Sequence, residues 1–135
     1  MKIELTDMEY RRLLDLAYIG NWILNSTRDD DRIEEYDRVE SRLFSYCHKF
    51  GMPTLVEYRH GIAQPSQAFE DGGIHEAIAD YEDSIFYEIL AEELARRDME
   101  YDPTTPENLD ELAIRIDEYI EEFEQNGIDN ISLNK

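Results

Sequence analysis

Apolar residues recur at spacings of three and four along almost the whole chain, and this constrains the fold more than any other feature. That period belongs to the α-helix and not to the sheet. A first helix is predicted from Thr6, where Thr6-Asp7-Met8-Glu9 forms a capping box: the Thr6 hydroxyl accepts from the Glu9 N–H, and the Glu9 carboxylate reaches back. Its stripe runs through Leu13, Leu14, Ala17, Tyr18, Ile19, Trp22 and Ile23, and fades at Asn25-Ser26-Thr27. A second helix is predicted over 30–50. Asp29-Asp30-Asp31 opens it at the positive end of the dipole, and Gly51 with Pro53 closes it. A third is predicted over 74–99, with Ile74, Ile78, Tyr81, Ile85, Ile89 and Leu94 in line. A fourth is predicted over 106–125, with Thr105 as N-cap, Pro106 at the first helical position and Asn126-Gly127 as the stop.

Residues 53–72 carry Gly61, Pro65 and Gly72-Gly73 and read as an irregular, partly helical stretch without strand alternation. The expected fold is all-α: a single domain, 1–135, built as a helical bundle or orthogonal array of about four main helices. Nine Tyr, five Phe and one Trp supply core material that a disordered acidic tail would lack.

The formal net charge is −20, and it is unevenly placed. Residues 1–60 hold 12 Asp+Glu against 9 Lys+Arg, whereas residues 61–135 hold 21 against 4. Such a field repels nucleic acid and anionic membrane and attracts basic surfaces. Repulsion among the second-half carboxylates should raise some of their pKa values. The single Cys47 excludes an intrachain disulfide and fits a reducing compartment. No apolar run is long enough to span a bilayer, and MKIELTDMEY places acids where a signal peptide is apolar. A cytoplasmic location is therefore expected.

Chemical motifs are sparse. Glu57-Tyr58-Arg59-His60 contains one Glu-x-x-His, but di-iron bundles need two such pairs and two further Glu. His75-Glu76 would start a zinc helix only with a second His at the position of Ala79. A looser metal set is confined to Glu57, His60, His75, Glu76 and Asp80. Cys47 and His48 are adjacent, so on a helix they point about 100° apart, and Cys47 falls on the apolar stripe. No cofactor is implied, and the balance leans against an enzyme.

The last helix is the sharpest feature. From Glu107 to Glu124 it holds eight acids and one base, Arg115. Like charges at Asp117/Glu121 and Glu118/Glu122 each cost a few tenths of a kcal/mol, roughly. Asp110, Glu111, Asp117, Glu118, Glu121 and Glu122 are the candidate partner-binding residues. The expected function is a small acidic interaction protein that docks on a basic protein surface, in the extreme form a nucleic-acid mimic. Direct nucleic-acid or membrane binding is excluded by sign, and monomer or homo-oligomer is left open. The alternative is a metal-binding or small enzyme-like helical protein using His48, His60 or His75 with nearby carboxylates.

Overall fold

The computed structural model describes residues 1–134 and is mostly helical, with four main helices and one small two-stranded sheet. The chain forms two compact units, Met1–Ile78 and Ala79–Lys135.

In the first unit, α1 spans Asp7–Asn25. Both arms of the capping box form: Glu9 N–H donates to Thr6 Oγ1 at 3.1 Å, and Thr6 N–H donates to Glu9 Oε1 at 3.0 Å. The second helix starts later than its acidic run. Asp31 accepts from the Asp29 N–H at 3.0 Å and pairs with Arg28 at 3.1 Å, which closes a turn ahead of the helix. α2 therefore spans Glu34–Phe44, with Glu34, Glu35 and Asp37 in its first turn. Residues 45–51 continue as turns and end at Gly51, whose φ of +72° suits glycine.

The stretch 53–72 departs from the helical expectation. β1 (Val56–Arg59) and β2 (Ile62–Pro65) form an antiparallel hairpin in the register Val56↔Pro65 to Arg59↔Ile62. His60 and Gly61 join them with φ of +53° and +77°, the left-handed pair that a two-residue hairpin loop needs. Val56 and Ala63 are buried on one face, while Glu57, Arg59, Ile62 and Gln64 occupy the other. The three-residue helix α3 (Gln67–Phe69) follows, capped by Ser66 Oγ, which accepts from the Phe69 N–H at 3.2 Å. Gly73, at φ +110°, breaks the helical path before α4 (His75–Asp98).

The core of this unit is aromatic. Phe44 and Phe69 are fully buried and meet edge to face at 5.0 Å. Tyr10 stacks on Phe50 at 4.0 Å and donates to Leu43 O at 2.7 Å. Cys47 is fully buried, and burial pushes its thiol pKa up, so it packs as a small apolar group.

In the second unit, α5 spans Leu109–Asn126. It starts three residues after Pro106 because Asn108, and not Thr105, makes the side-chain bonds. Asn108 Oδ1 accepts from the Thr105 N–H at 2.8 Å, and its Nδ2 donates to Pro103 O at 3.0 Å, closing the turn before the helix. Gly127, at φ +57°, ends it as expected. Buried side chains here are few: Ala91, Ala95, Leu112 and Phe123. Tyr87 and Tyr119 lie against Phe123 with ring centroids at 5.5 and 6.0 Å. Among the described residues, no helix is long and apolar enough to cross a membrane.

Candidate functional site

The acids of α5 form one surface. At 100° per residue, Asp110, Glu111, Asp117, Glu118, Glu121 and Glu122 fall within a sector of about 140°. Five of them are exposed and Glu122 is half-buried. Glu111 pairs with Arg115 at 3.0 Å, and Glu122 accepts from Asn126 at 3.1 Å and Asn130 at 2.6 Å. Asp110, Asp117, Glu118 and Glu121 make no ion pair among the described residues. The unit carries 18 Asp+Glu against 4 Lys+Arg. Its three arginines are each engaged within it, by Glu92, Asp98 and Glu111.

Ile114 sits in the middle of this acidic sector. Its neighbours at three and four residues on either side are Asp110, Glu111, Asp117 and Glu118. The isoleucine is 59% exposed. On α4, Tyr81, Phe86 and Ile89 are likewise exposed. The unit thus shows apolar side chains set among uncompensated carboxylates.

The one carboxylate of this unit with a resolved shift runs against the expected rise. Asp98 accepts from the Tyr119 hydroxyl and from Arg97 at 2.9 Å, and these bonds hold its pKa below the ordinary carboxylate value.

The histidines are placed apart. His48 is exposed, its ring 6.5 Å from that of Tyr58, while neighbouring Cys47 is buried. Glu57 and His60 lie on the hairpin, so helical i,i+3 geometry does not apply to them, and Glu57 pairs with Arg59 at 3.1 Å. His75 opens α4 with its Nε2 2.7 Å from Tyr18 Oη. Glu76 and Asp80 are exposed on the same helix. Among the described residues, no group of three or more His, Cys, Asp or Glu is positioned to hold a metal.

The first unit also contains a cleft that the sequence reading missed. About 740 Å³ of solvent-open space lies between α1, α2, the hairpin and Glu70. Asn25, 1% exposed, and Asn21, 7% exposed, form its floor. Asn25 Nδ2 donates to Asn21 Oδ1 at 2.6 Å, and Asn21 Nδ2 donates to Asp37 Oδ1 at 3.0 Å and Glu40 Oε2 at 3.2 Å. Arg32 forks onto Asp37 at 2.6 and 2.7 Å, which holds the Asp37 carboxyl low. Glu40 has no such cation. Desolvation pushes its pKa up to about 7, with Asp37 and Glu70 adding repulsion, and the Asn21 amide and Arg32 only partly oppose this. Across the cleft, Tyr18 Oη lies 3.3 Å from Glu70 Oε1, and burial together with the Glu70 charge pushes this phenol up to about 12.

Glu40 makes stability pH-dependent with a defined sign. Its folded pKa of about 7 exceeds the ordinary 4.5, so the folded state binds the proton more tightly. The contribution is complete below about pH 4.5 and is lost as pH rises through about 7. Glu40→Gln keeps the acceptor for Asn21 and removes the charge. It should stabilise the protein by about 1–3 kcal/mol at pH 8 and leave it unchanged near pH 4.5, as read by urea unfolding at both values. An equal effect at the two pH values would show that Glu40 is not held protonated by the fold.

Comparison with protein-family models, with curated proteins and with solved structures finds no match.

Proposed function

We propose that this chain is an acidic interaction protein whose second unit docks on a basic, partly apolar surface of another protein. The exposed Ile114 within its ring of Asp110, Glu111, Asp117 and Glu118 carries the reading. Like charges on this face mildly destabilise the helix, a cost that a basic partner would offset, and Ile114 gives such a partner an apolar contact. A partner with lysines or arginines around an apolar side chain would cover the isoleucine and neutralise the acids together. Carboxylates set on successive turns also suit a basic nucleic-acid-binding groove, where they would stand in for phosphates. The single cysteine fits a reducing, cytoplasmic setting for this docking.

Affinity capture from the native host tests this reading. The full chain should retain basic proteins at about 0.15 M salt and release them at about 1 M, where exposed charges are screened. A variant carrying Asp117→Asn, Glu118→Gln and Glu121→Gln should retain at least about tenfold less of the same proteins, equivalent to roughly 1.4 kcal/mol. Retention unchanged by the substitutions, or unchanged at high salt, would refute docking through this charged face.

A further inference from the structure

We propose that the cleft of the first unit binds a small organic dication, an alkyl diamine or an aminoalkyl guanidine, with its charged ends on Glu40 and Glu70 and its chain along Trp22. This site is independent of the acidic face of α5.

The charges of the cleft select the ligand. Its walls hold four carboxylates, Asp37, Glu40, Glu57 and Glu70, and two arginines, Arg32 and Arg59. Arg32 takes Asp37 at 2.6 Å, and Arg59 takes Glu57 at 3.1 Å. Glu40 and Glu70 are left without an ion pair among the described residues. Each is instead held by a neutral donor from α1: Asn21 Nδ2 at 3.2 Å for Glu40, and Tyr18 Oη at 3.3 Å for Glu70. Both donors are themselves 7% exposed and fixed within the fold. The carboxylates are thus oriented without being neutralised, an arrangement that rewards an incoming cation.

Size and lining narrow the class. A volume of about 740 Å³ far exceeds what an inorganic ion fills and is in the usual range for organic ligands. At pH 8, where Glu40 is mostly ionised, an anion would meet a net charge of about −2 from the wall residues Asp37, Glu40, Glu57, Glu70, Arg32 and Arg59. The Trp22 indole lines the cleft and offers the aromatic surface on which methylene chains and cationic groups pack well. The two free carboxylates match two positive charges.

Binding should be coupled to pH, because a cation favours the ionised form of Glu40. The groups that bear on this coupling are Asp37 and Arg32 beside Glu40, Glu70 and Tyr18 across the cleft with His75 Nε2 2.7 Å from the same Tyr18 hydroxyl, and Glu57 and Arg59 on the hairpin.

Trp22 is the chain's only tryptophan, so its fluorescence reports on the cleft directly. Agmatine, a guanidine and an amine on one alkyl chain, is titrated into the full-length protein at low salt. Saturable quenching or a spectral shift is expected at pH 8 with a Kd below about 1 mM, weakening about tenfold at pH 5.5 as Glu40 takes up its proton. Glu40→Gln and Glu70→Gln should each weaken binding by about tenfold or more at pH 8. Neutral butylurea, which keeps the planar donors, should not saturate. A blocked Gly-Arg-Gly peptide, with one charge, should bind at least about tenfold more weakly than agmatine. Should either variant melt well below the wild-type chain, the comparison of pH 8 with pH 5.5 on the unaltered protein decides. The proposal is overturned by a flat agmatine titration, by folded variants that bind as tightly as wild type, by affinity independent of pH, or by equal binding of butylurea or the arginine peptide.

Discussion

Replacing Phe69 with alanine should remove about 3–5 kcal/mol of stability, a large part of what a domain of this size possesses. Phe69 is fully buried and its ring touches two helices of the first unit. Its ring meets Phe44 of α2 at 5.0 Å and Tyr18 of α1 at 5.2 Å, and the Arg11 guanidinium lies 4.8 Å from its centroid. It is also the last residue of α3, a helix only three residues long that has little stability of its own. Truncation opens a cavity where these elements converge, and α3 then has only the Ser66 cap to hold it. The neighbouring Glu70 should lose its fixed position as a consequence. Urea unfolding should show the midpoint falling steeply, whereas Phe86→Ala, at a side chain 50% exposed, should change stability by less than about 1 kcal/mol. A loss below about 1 kcal/mol for Phe69→Ala would mean that the aromatic centre of the first unit is placed wrongly.

Asn25→Ala should cost about 2–4 kcal/mol, although it removes no large apolar group. Asn25 is 1% exposed and makes three hydrogen bonds. Its Nδ2 donates to Asn21 Oδ1 at 2.6 Å and Ile33 O at 3.1 Å, and its Oδ1 accepts from the Ile33 N–H at 2.8 Å. Ile33 is the N-cap of α2 and has no side chain able to cap. Asn25 therefore supplies from α1 the polar partner that the start of α2 lacks. Alanine leaves the Ile33 N–H and the Asn21 side-chain carbonyl without their protein partners. The loss should be nearly independent of salt, because these bonds are neutral. A strongly salt-dependent loss in thermal melts would assign the effect to the nearby Arg32–Asp37 pair instead.

Where local chemistry decides, the sequence was readable. Thr6 and Glu9 announce the start of α1, Gly127 announces the end of α5, and the 3.6-residue period locates α4 to within a residue of its observed ends. The hairpin was hidden because each strand has four residues, too few for alternation to register, and because the first turn position is His60 where asparagine would have signalled a left-handed residue. The onset of α2 was hidden because Asp31 bonds within its own turn, a choice that acidic composition does not reveal. The acidic face was legible residue by residue. The place of Ile114 inside it follows from helical angles, on the side opposite Leu112, Ile116, Tyr119 and Phe123. The cleft had a signal of its own: Leu14, Tyr18, Asn21 and Asn25 continue one stripe at spacings of four, three and four. Two asparagines on a core stripe imply buried polar partners. What they hold, Glu40 and Asp37, depends on how α2 packs against α1, which spacing alone does not determine.

A residue-resolved map of the acidic face tests docking through α5 most directly. The isotope-labelled full chain is titrated with an amphipathic lysine–leucine helical peptide of about 20 residues, and backbone amide shifts are followed by NMR. Shifts centred on Ile114 and its flanking acids are expected, with affinity falling at least about tenfold between 0.05 and 0.5 M salt and falling again on Ile114→Ser. Shifts spread over residues 1–78, or binding at α5 that ignores both salt and Ile114→Ser, would contradict this mode of docking.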